Sequence, residues 1–434
     1  MRPGERGVTL IDTIVGISLM LVVFLGIAAT FRLSVDVVTN NKARGGAIAL
    51  ADQRMEYIRS LAYTAVGTAL GIPSGTIAQS ETVSLNGVTY TRRTVIVYAD
   101  DPKDGTGASD TNGITADYKA VKVDVAWTSR YGGTRHVDLA TRISPATGLE
   151  TNPCSSSCGT LVINVANSAS APLSGASVAI TNPSASPAVN FSTFTNASGT
   201  VTLLAAPAAS GYAVVVTNPG YSTDQTNTGS NPTRSALTVS SNQTTSATFQ
   251  IDALSSMTVL TLAYGTGAPI TTAAFSMHGA KTTNTNPVTY KYSATLGGAG
   301  SATTTISNLE WDTYSTAVSP ATGYDLAYSC SPQPVSLSAG TVATTTLYLA
   351  PHTTNSLSVE VLVSGTGALV ANASVRLYKT GYDTTQTTDS CGQTFFSGLS
   401  VGTYNISVTA AGHTTYNASN LSVASSTQYQ ALIN

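Results

Sequence analysis

Charge is scarce in this 434-residue chain: 20 Lys and Arg stand against 22 Asp and Glu, for a formal net charge of -2. Neither a basic nucleic-acid footprint nor a field for acidic substrates follows from that balance. Histidine is equally thin. His136, His278, His352 and His413 are scattered, none beside a cysteine or in H-x-x-x-H spacing, and no GxSxG, P-loop or paired-cysteine redox motif is present. Glu310 and Asp312 flank Trp311, which reads as exposed acids around a buried aromatic where a strand begins. The expectation is a chain that is not an enzyme, with no catalytic residue and no nucleic-acid partner.

Cysteine is limited to Cys154, Cys158, Cys330 and Cys391. Zinc is disfavoured because no second Cys/His pair stands at ligand spacing. A local bridge between Cys154 and Cys158 would pin the chain within "CSSSC". Whether Cys330 reaches Cys391 is not legible from the sequence.

What charge exists is concentrated. Residues 1–150 hold 15 Lys/Arg and 14 Asp/Glu, whereas residues 151–434 hold 5 and 8. The second part is rich in Ser, Thr, Ala, Gly, Val and Asn with short alternating runs, the composition of neutral β-domains. At about 150 residues per domain the length alone suggests roughly three domains.

The longest apolar run sits at the front. Residues 13–31, "TIVGISLMLVVFLGIAATF", carry no charge, and the run extended back to Val8 gives about 24 residues, enough to cross a hydrocarbon core of about 30 Å. A secretory signal has a shorter apolar centre followed by a small-residue cut site. Here the clearest small residue, Gly7, precedes the run, and an acid, Asp12, stands near its head.

A basic leader, then Gly7-Val8-Thr9-Leu10-Ile11-Asp12 and an apolar helix, resembles the type IV prepilin family. The resemblance implies that a prepilin peptidase in the membrane cuts between Gly7 and Val8 and methylates the new amino terminus at Val8. The family usually has Phe or Met where Val8 stands and Glu where Asp12 stands. It further implies that Asp12 faces the amino terminus of a neighbouring subunit in a filament, where low dielectric strengthens the pairing. The alternative is that Asp12 caps its own helix start. Downstream, "IALADQRMEYIRSLAY" sets Ile48, Ala51, Met55, Ile58 and Leu61 or Ala62 on a helical stripe. A helix from Val8 to Tyr63 would be about 84 Å long, and Gly16 and Gly26 are places where it could soften.

Residues 80–143 read as an antiparallel sheet. Asn86-Gly87 joins two alternating runs as a hairpin, Val121, Val123, Val125 and Trp127 share one face by period two, and the chain turns at Gly132-Gly133 to return through Val137, Leu139 and Ile143. Packing this sheet on the second half of the helix would bury both apolar faces. The connecting loop "DDPKDGTGASDTNG" offers Asp100, Asp101, Asp104 and Asp110 as candidate calcium ligands, because calcium takes clustered oxygens in glycine-bearing loops. Their spacing is not that of an EF-hand.

Three later segments share a frame on Tyr212, Tyr314 and Tyr404, each opening a strand and followed by Gly220-Tyr221, Gly323-Tyr324 and Gly412-His413. Repeats of this size fit sandwich domains. They resemble the carboxypeptidase regulatory-like, transthyretin-like domains of the Ig-like group, with the stretch from Ser397 to Tyr404 the nearest match. Such modules are non-catalytic; Gly402 would permit the tight turn, and Tyr404 would give ring area to the core with its hydroxyl bonding at the rim.

The expected fold is α+β, a long helix packed on an antiparallel sheet followed by three all-β sandwiches. The divisions are 1–7 leader, 8–63 helix, 64–150 sheet domain, and sandwiches at 151–252, 253–350 and 351–434. The expected function is a minor type IV pilin-like subunit, held in the cytoplasmic membrane and then assembled through its helix with other pilins into an extracellular filament. Its sandwiches would display a surface for adhesion, with Tyr290, Tyr292, Tyr416 and Tyr429 offered to a glycan or another surface. A membrane-anchored adhesin outside any filament and a secretion-system pseudopilin are the alternatives.

Overall fold

The computed structural model describes residues 10–103, 105, 116–129, 132–145 and 157–434. Gly7, Val8, Asp104, Asp110 and Cys154 lie outside these residues, as does the side chain of Asp12.

A single helix, α1 (Leu10–Arg59), spans 50 residues, so it is about 75 Å long at 1.5 Å per residue. It runs without interruption through Gly16 and Gly26. It stops before Tyr63: the Ser60 amide divides its bond between the carbonyls of Glu56 and Tyr57, a tightened last turn.

Four antiparallel strands follow in a meander, β1 (Ser80–Leu85), β2 (Val88–Ala99), β3 (Tyr118–Thr128) and β4 (Thr134–Ile143). The β1–β2 register closes on Leu85 opposite Val88, around Asn86 and Gly87 with φ of 53° and 77°, the left-handed pair a type I′ hairpin needs. Val121, Val123, Val125 and Trp127 all face inward. They join Ala43, Ala47, Leu50, Ala51, Met55 and Ile58 of α1 in one buried cluster. The stripe therefore differs at its start from the sequence expectation. Ile48 is 37% exposed, because the covered face is set by Ala43, Ala47 and Leu50, one step around the helix.

Small residues let the sheet come close. The Tyr90 hydroxyl donates to the Ala43 carbonyl at 2.9 Å, and a Cβ on Gly46 would stand only 2.5 Å from that hydroxyl oxygen. Buried charge is paired across the same seam. Arg92 donates to Glu81 at 2.9 Å and to the Leu50 carbonyl at 3.1 Å, while Arg54 of the helix also pairs with Glu81. Buried ion pairs need such multiple partners to offset desolvation.

Residues 158–433 form three sandwiches with one strand order. In each, the first strand runs parallel to the last: Cys158–Ala166 with Thr244–Gln250, Ser255–Ala263 with Val342–Pro351, and Leu357–Val363 with Thr427–Ile433. Leaving out of the count a hairpin inserted in sandwich 2, Thr282–Thr285 with Val288–Tyr290, the fourth strand of each flanks the first on its other side. By the same count, the facing sheet has the second strand between the third and fifth in all three. The frame tyrosines occupy one structural position. Tyr212, Tyr314 and Tyr404 are essentially unexposed and donate to the carbonyls of Pro207, Glu310 and Ser400 at 2.6, 2.9 and 2.8 Å. Each ring fills a core while its hydroxyl ties down the preceding turn.

Sandwich 2 adds a strand, Tyr324–Cys330, beside Val342–Pro351. That strand carries the junction to sandwich 3. Cys330 is disulfide-bonded to Cys391, and Tyr264, Tyr328, Ala327 and Ala350 pack with Phe395. The other junctions are hydrogen-bonded. Sandwich 1 meets the first domain through Asn190 N–H to Leu70 O at 2.7 Å and Arg93 to Ser192 at 3.2 Å, and meets sandwich 2 through Thr233 N–H to Thr283 O and Thr285 N–H to Asn231 O at 3.1 and 2.9 Å.

Candidate functional site

The first half of α1 is an apolar surface that no described residue covers. It contains the one described helix long and apolar enough to cross a membrane, and none of that stretch is buried. The hydroxyls of its uncharged run bond within the helix: Thr13 donates to Leu10 O at 2.8 Å, Ser18 to Val15 O at 2.9 Å and Thr30 to Ile27 O at 2.9 Å. Polar groups that bond their own backbone need no water, which is the condition lipid imposes. The helix changes character at Ala43, where sheet coverage begins. Asp12 falls in the first described turn, while its proposed partner, the amine at Val8, and the cut site at Gly7 lie outside the described residues.

The acidic loop resolves into local bonding at its described end. Asp101 accepts the Lys103 amide at 3.2 Å and gives its own N–H to the buried Asp117 carboxylate. Asp100 and Asp101 are described while Asp104 and Asp110 are not, so the four calcium candidates are not brought together among the described residues. A three-ligand group elsewhere, Cys330, Asp389 and Cys391, is no metal centre, since both sulfurs are in the disulfide. Cys158 is also disulfide-bonded, and Cys154 is outside the described residues.

Beside this loop lies a buried lysine that the sequence reading passed over. Lys119 is 2% exposed. Its ammonium donates to the Tyr63 and Val66 carbonyls at 2.7 Å each and lies 4.5 Å from the Tyr63 ring centre, fixing the chain just after α1. Burial pushes its pKa down to about 8. Below that value the lysine is charged in both folded and unfolded chains; above it the folded lysine releases its proton while the unfolded one holds it to about 10.4, so the fold gains stability as pH rises. Chemical denaturation at pH 7.5 and pH 9.5 should show the first domain more stable at the higher pH, and Lys119→Met should remove that rise.

Other sequence candidates are rearranged. Glu310 is more covered than expected: its side chain is 12% exposed and bridges Lys281 and Lys291 at 2.7 and 2.6 Å. Trp311 is only partly buried and has the Lys281 ammonium 3.3 Å from its ring centre. The acids, not the indole, are tied in, because Asp312 also accepts the Lys281 amide at 2.9 Å. Of the four tyrosines offered to a ligand, Tyr290 is 39% exposed and stacked on His278 at 4.0 Å. Tyr292 packs edge-on against Tyr314, and Tyr416 and Tyr429 pack on the sandwich 3 core with their hydroxyls 2.6 Å apart. Strand alternation turns Tyr416 and Tyr429 inward, whereas Tyr292 sits at the bend just before Ser293–Gly297. The four histidines do not converge; His352 bonds Asp325 at 2.7 Å and His136 stands exposed on β4.

Residues 356–433, which make up sandwich 3, match the model of the carboxypeptidase regulatory-like domain. No curated protein matches the chain. Among solved structures, the chain is similar to the Bacillus anthracis TIE protein at 13% identity, over 82% of this chain and 73% of that one, with a TM-score of 0.19. It is also similar to GBS52, the minor pilin of Streptococcus agalactiae, at 13% identity over 45% and 97% with a TM-score of 0.24. A shaft pilin of Lactobacillus rhamnosus GG follows at 15% identity over 46% and 100%, TM-score 0.20.

Proposed function

We propose that the protein is a minor, modular subunit of a type IV pilin-like filament, in which α1 is first a membrane span and then the packing element. On this reading it is cleaved between Gly7 and Val8, methylated at Val8, and displays its sandwiches for contact with a surface. The observation that carries it is the division of one continuous helix: exposed over residues 13–35 with an uncharged apolar run at 13–31, packed on a sheet from Ala43 onward. A tail of that length needs an apolar environment, and lipid before assembly and neighbouring helices afterwards both supply one.

Type IV specificity is supported by the Gly7 to Asp12 motif and its position ahead of the apolar run. The β-modules are supported as display elements by their composition and by the carboxypeptidase regulatory-like match. The reading is of a non-catalytic protein. Asp12 acts in assembly by pairing with the amine of a neighbour, which rewards one axial register because an unpaired charge there is costly. Replacing Asp12 by Ala should leave cleavage after Gly7 intact and lower the amount of the protein recovered with sheared filaments several-fold. Unchanged recovery sinks the role of Asp12, and wild-type protein found only with membranes favours an anchored adhesin instead.

A further inference from the structure

We infer that the groove between sandwiches 2 and 3 is a binding site for a neutral, hydroxyl-rich ligand, a hexose unit of a glycan, with Glu360 as its central acceptor. The inference deepens the display reading and is independent of filament assembly. The groove encloses about 360 Å³, within the size range of small-molecule sites, and domain interfaces are where such sites concentrate.

Its floor follows from strand register. Leu357, Val359 and Val361 point into the sandwich 3 core, so Ser358 and Glu360 point out. Glu360 pairs in register with Gln393 on one side and Gln430 on the other, which lines an amide, a carboxylate and an amide across three strands. The Gln393 side-chain amide donates to one Glu360 oxygen at 3.0 Å and that of Gln430 to the other at 2.7 Å. Two planar groups thus hold the carboxylate in place, and each oxygen keeps a lone pair for a ligand.

The wall comes from the added strand of sandwich 2. The Ser329 amide donates to the Gln393 side-chain carbonyl at 3.0 Å, and the Cys330–Cys391 disulfide stands next to both residues. The two sides are therefore bonded to each other, which lowers the ordering cost of binding. Gln333 also lines that wall, its side-chain carbonyl held by the Thr316 amide at 3.0 Å, and the rest of the lining is neutral and, Leu326 apart, hydrogen-bonding, with Ser358 and Gln428 beside Glu360.

Charge then selects the ligand. All five Lys and Arg of residues 151–434 are engaged elsewhere: Arg234 with Asp224, Lys281 and Lys291 with Glu310, Arg376 with Asp383, and Lys379 with Ser400. His352 is on Asp325. Glu360 thus stands on its two amides without a cation among them, and an acidic sugar or phosphate would meet repulsion. An ammonium would satisfy Glu360 but offer no acceptor to the Ser358 hydroxyl and the Gln428 amide of the same lining. A sugar supplies donors to the carboxylate and acceptors to these neutral groups from the same ring.

The full chain in detergent would be titrated with a panel of neutral hexose and N-acetylhexosamine disaccharides, their sialylated counterparts, and a lysine octapeptide. Neutral disaccharides should bind, and Glu360→Gln and Gln430→Ala should each weaken them at least tenfold, with the thermal transition of the variants unchanged. Binding that is indifferent to both variants, preference for sialylated sugars or for the peptide, or no binding by the wild type overturns the site. Adherence of cells carrying the protein distinguishes the two readings: if it persists in both variants, the groove fails and display stands.

Discussion

Arginine placed at both Leu21 and Phe24 is expected to shift the protein from the membrane fraction to the soluble one. Both side chains are about 60% exposed, near the middle of the uncharged run 13–31, where a charged group has least opportunity to reach the interface. Each arginine costs about 3 kcal/mol at a helix centre, so the pair costs about 6 kcal/mol, several orders of magnitude in partition. Neither residue touches the sheet domain, because coverage of α1 starts at Ala43. The folded β-region should survive, which proteolysis resistance of the soluble material would check. A double variant that still resists alkaline extraction of membranes contradicts the span.

Loss of the Cys330–Cys391 bond should have the second large effect, this time on stability. The bond closes a loop with a sequence separation of 61, for which chain entropy gives about 4 kcal/mol. The loop includes the last strand of sandwich 2 and the first strand of sandwich 3, so cutting it loosens both domains at their junction. The double variant Cys330→Ser/Cys391→Ser should unfold about 10 °C lower in the C-terminal transition, at about 2–4 °C per kcal/mol for a unit of this size. Wild type under a reductant should behave alike. No shift in either would mean that the contacts of Tyr264 and Tyr328 with Phe395 already hold the junction alone.

Both effects depend on features of unequal legibility in the sequence. Local periodicity carried far: the Asn86-Gly87 hairpin, the inward row from Val121 to Trp127 and the three frame tyrosines follow from alternation and turn chemistry, which depend on neighbours in the chain. The same rule reaches further than it was applied. Lys119 has the parity of Val121, so its burial was readable from "YKAVKV", as was the inward direction of Tyr429 beside Ala431 and Ile433. What depends on long-range placement was not readable. The helix stripe begins at Ala43 rather than Ile48 because Tyr90 arrives from a strand far along the chain. The extra strand Tyr324–Cys330 has no counterpart in the other two sandwiches, and its position beside Val342–Pro351 brings Cys330 to Cys391 and Glu360 under a wall. At the candidate site the apolar span was plain from composition, whereas the groove needed the register of three strands.

The central claim is that the uncovered helix is a processed assembly element, and the mass of the mature amino terminus tests it most directly. Protein recovered from the cells that make it should begin at Val8 and be heavier there by one methyl group. A chain that begins at Met1, or at any residue other than Val8, contradicts the account.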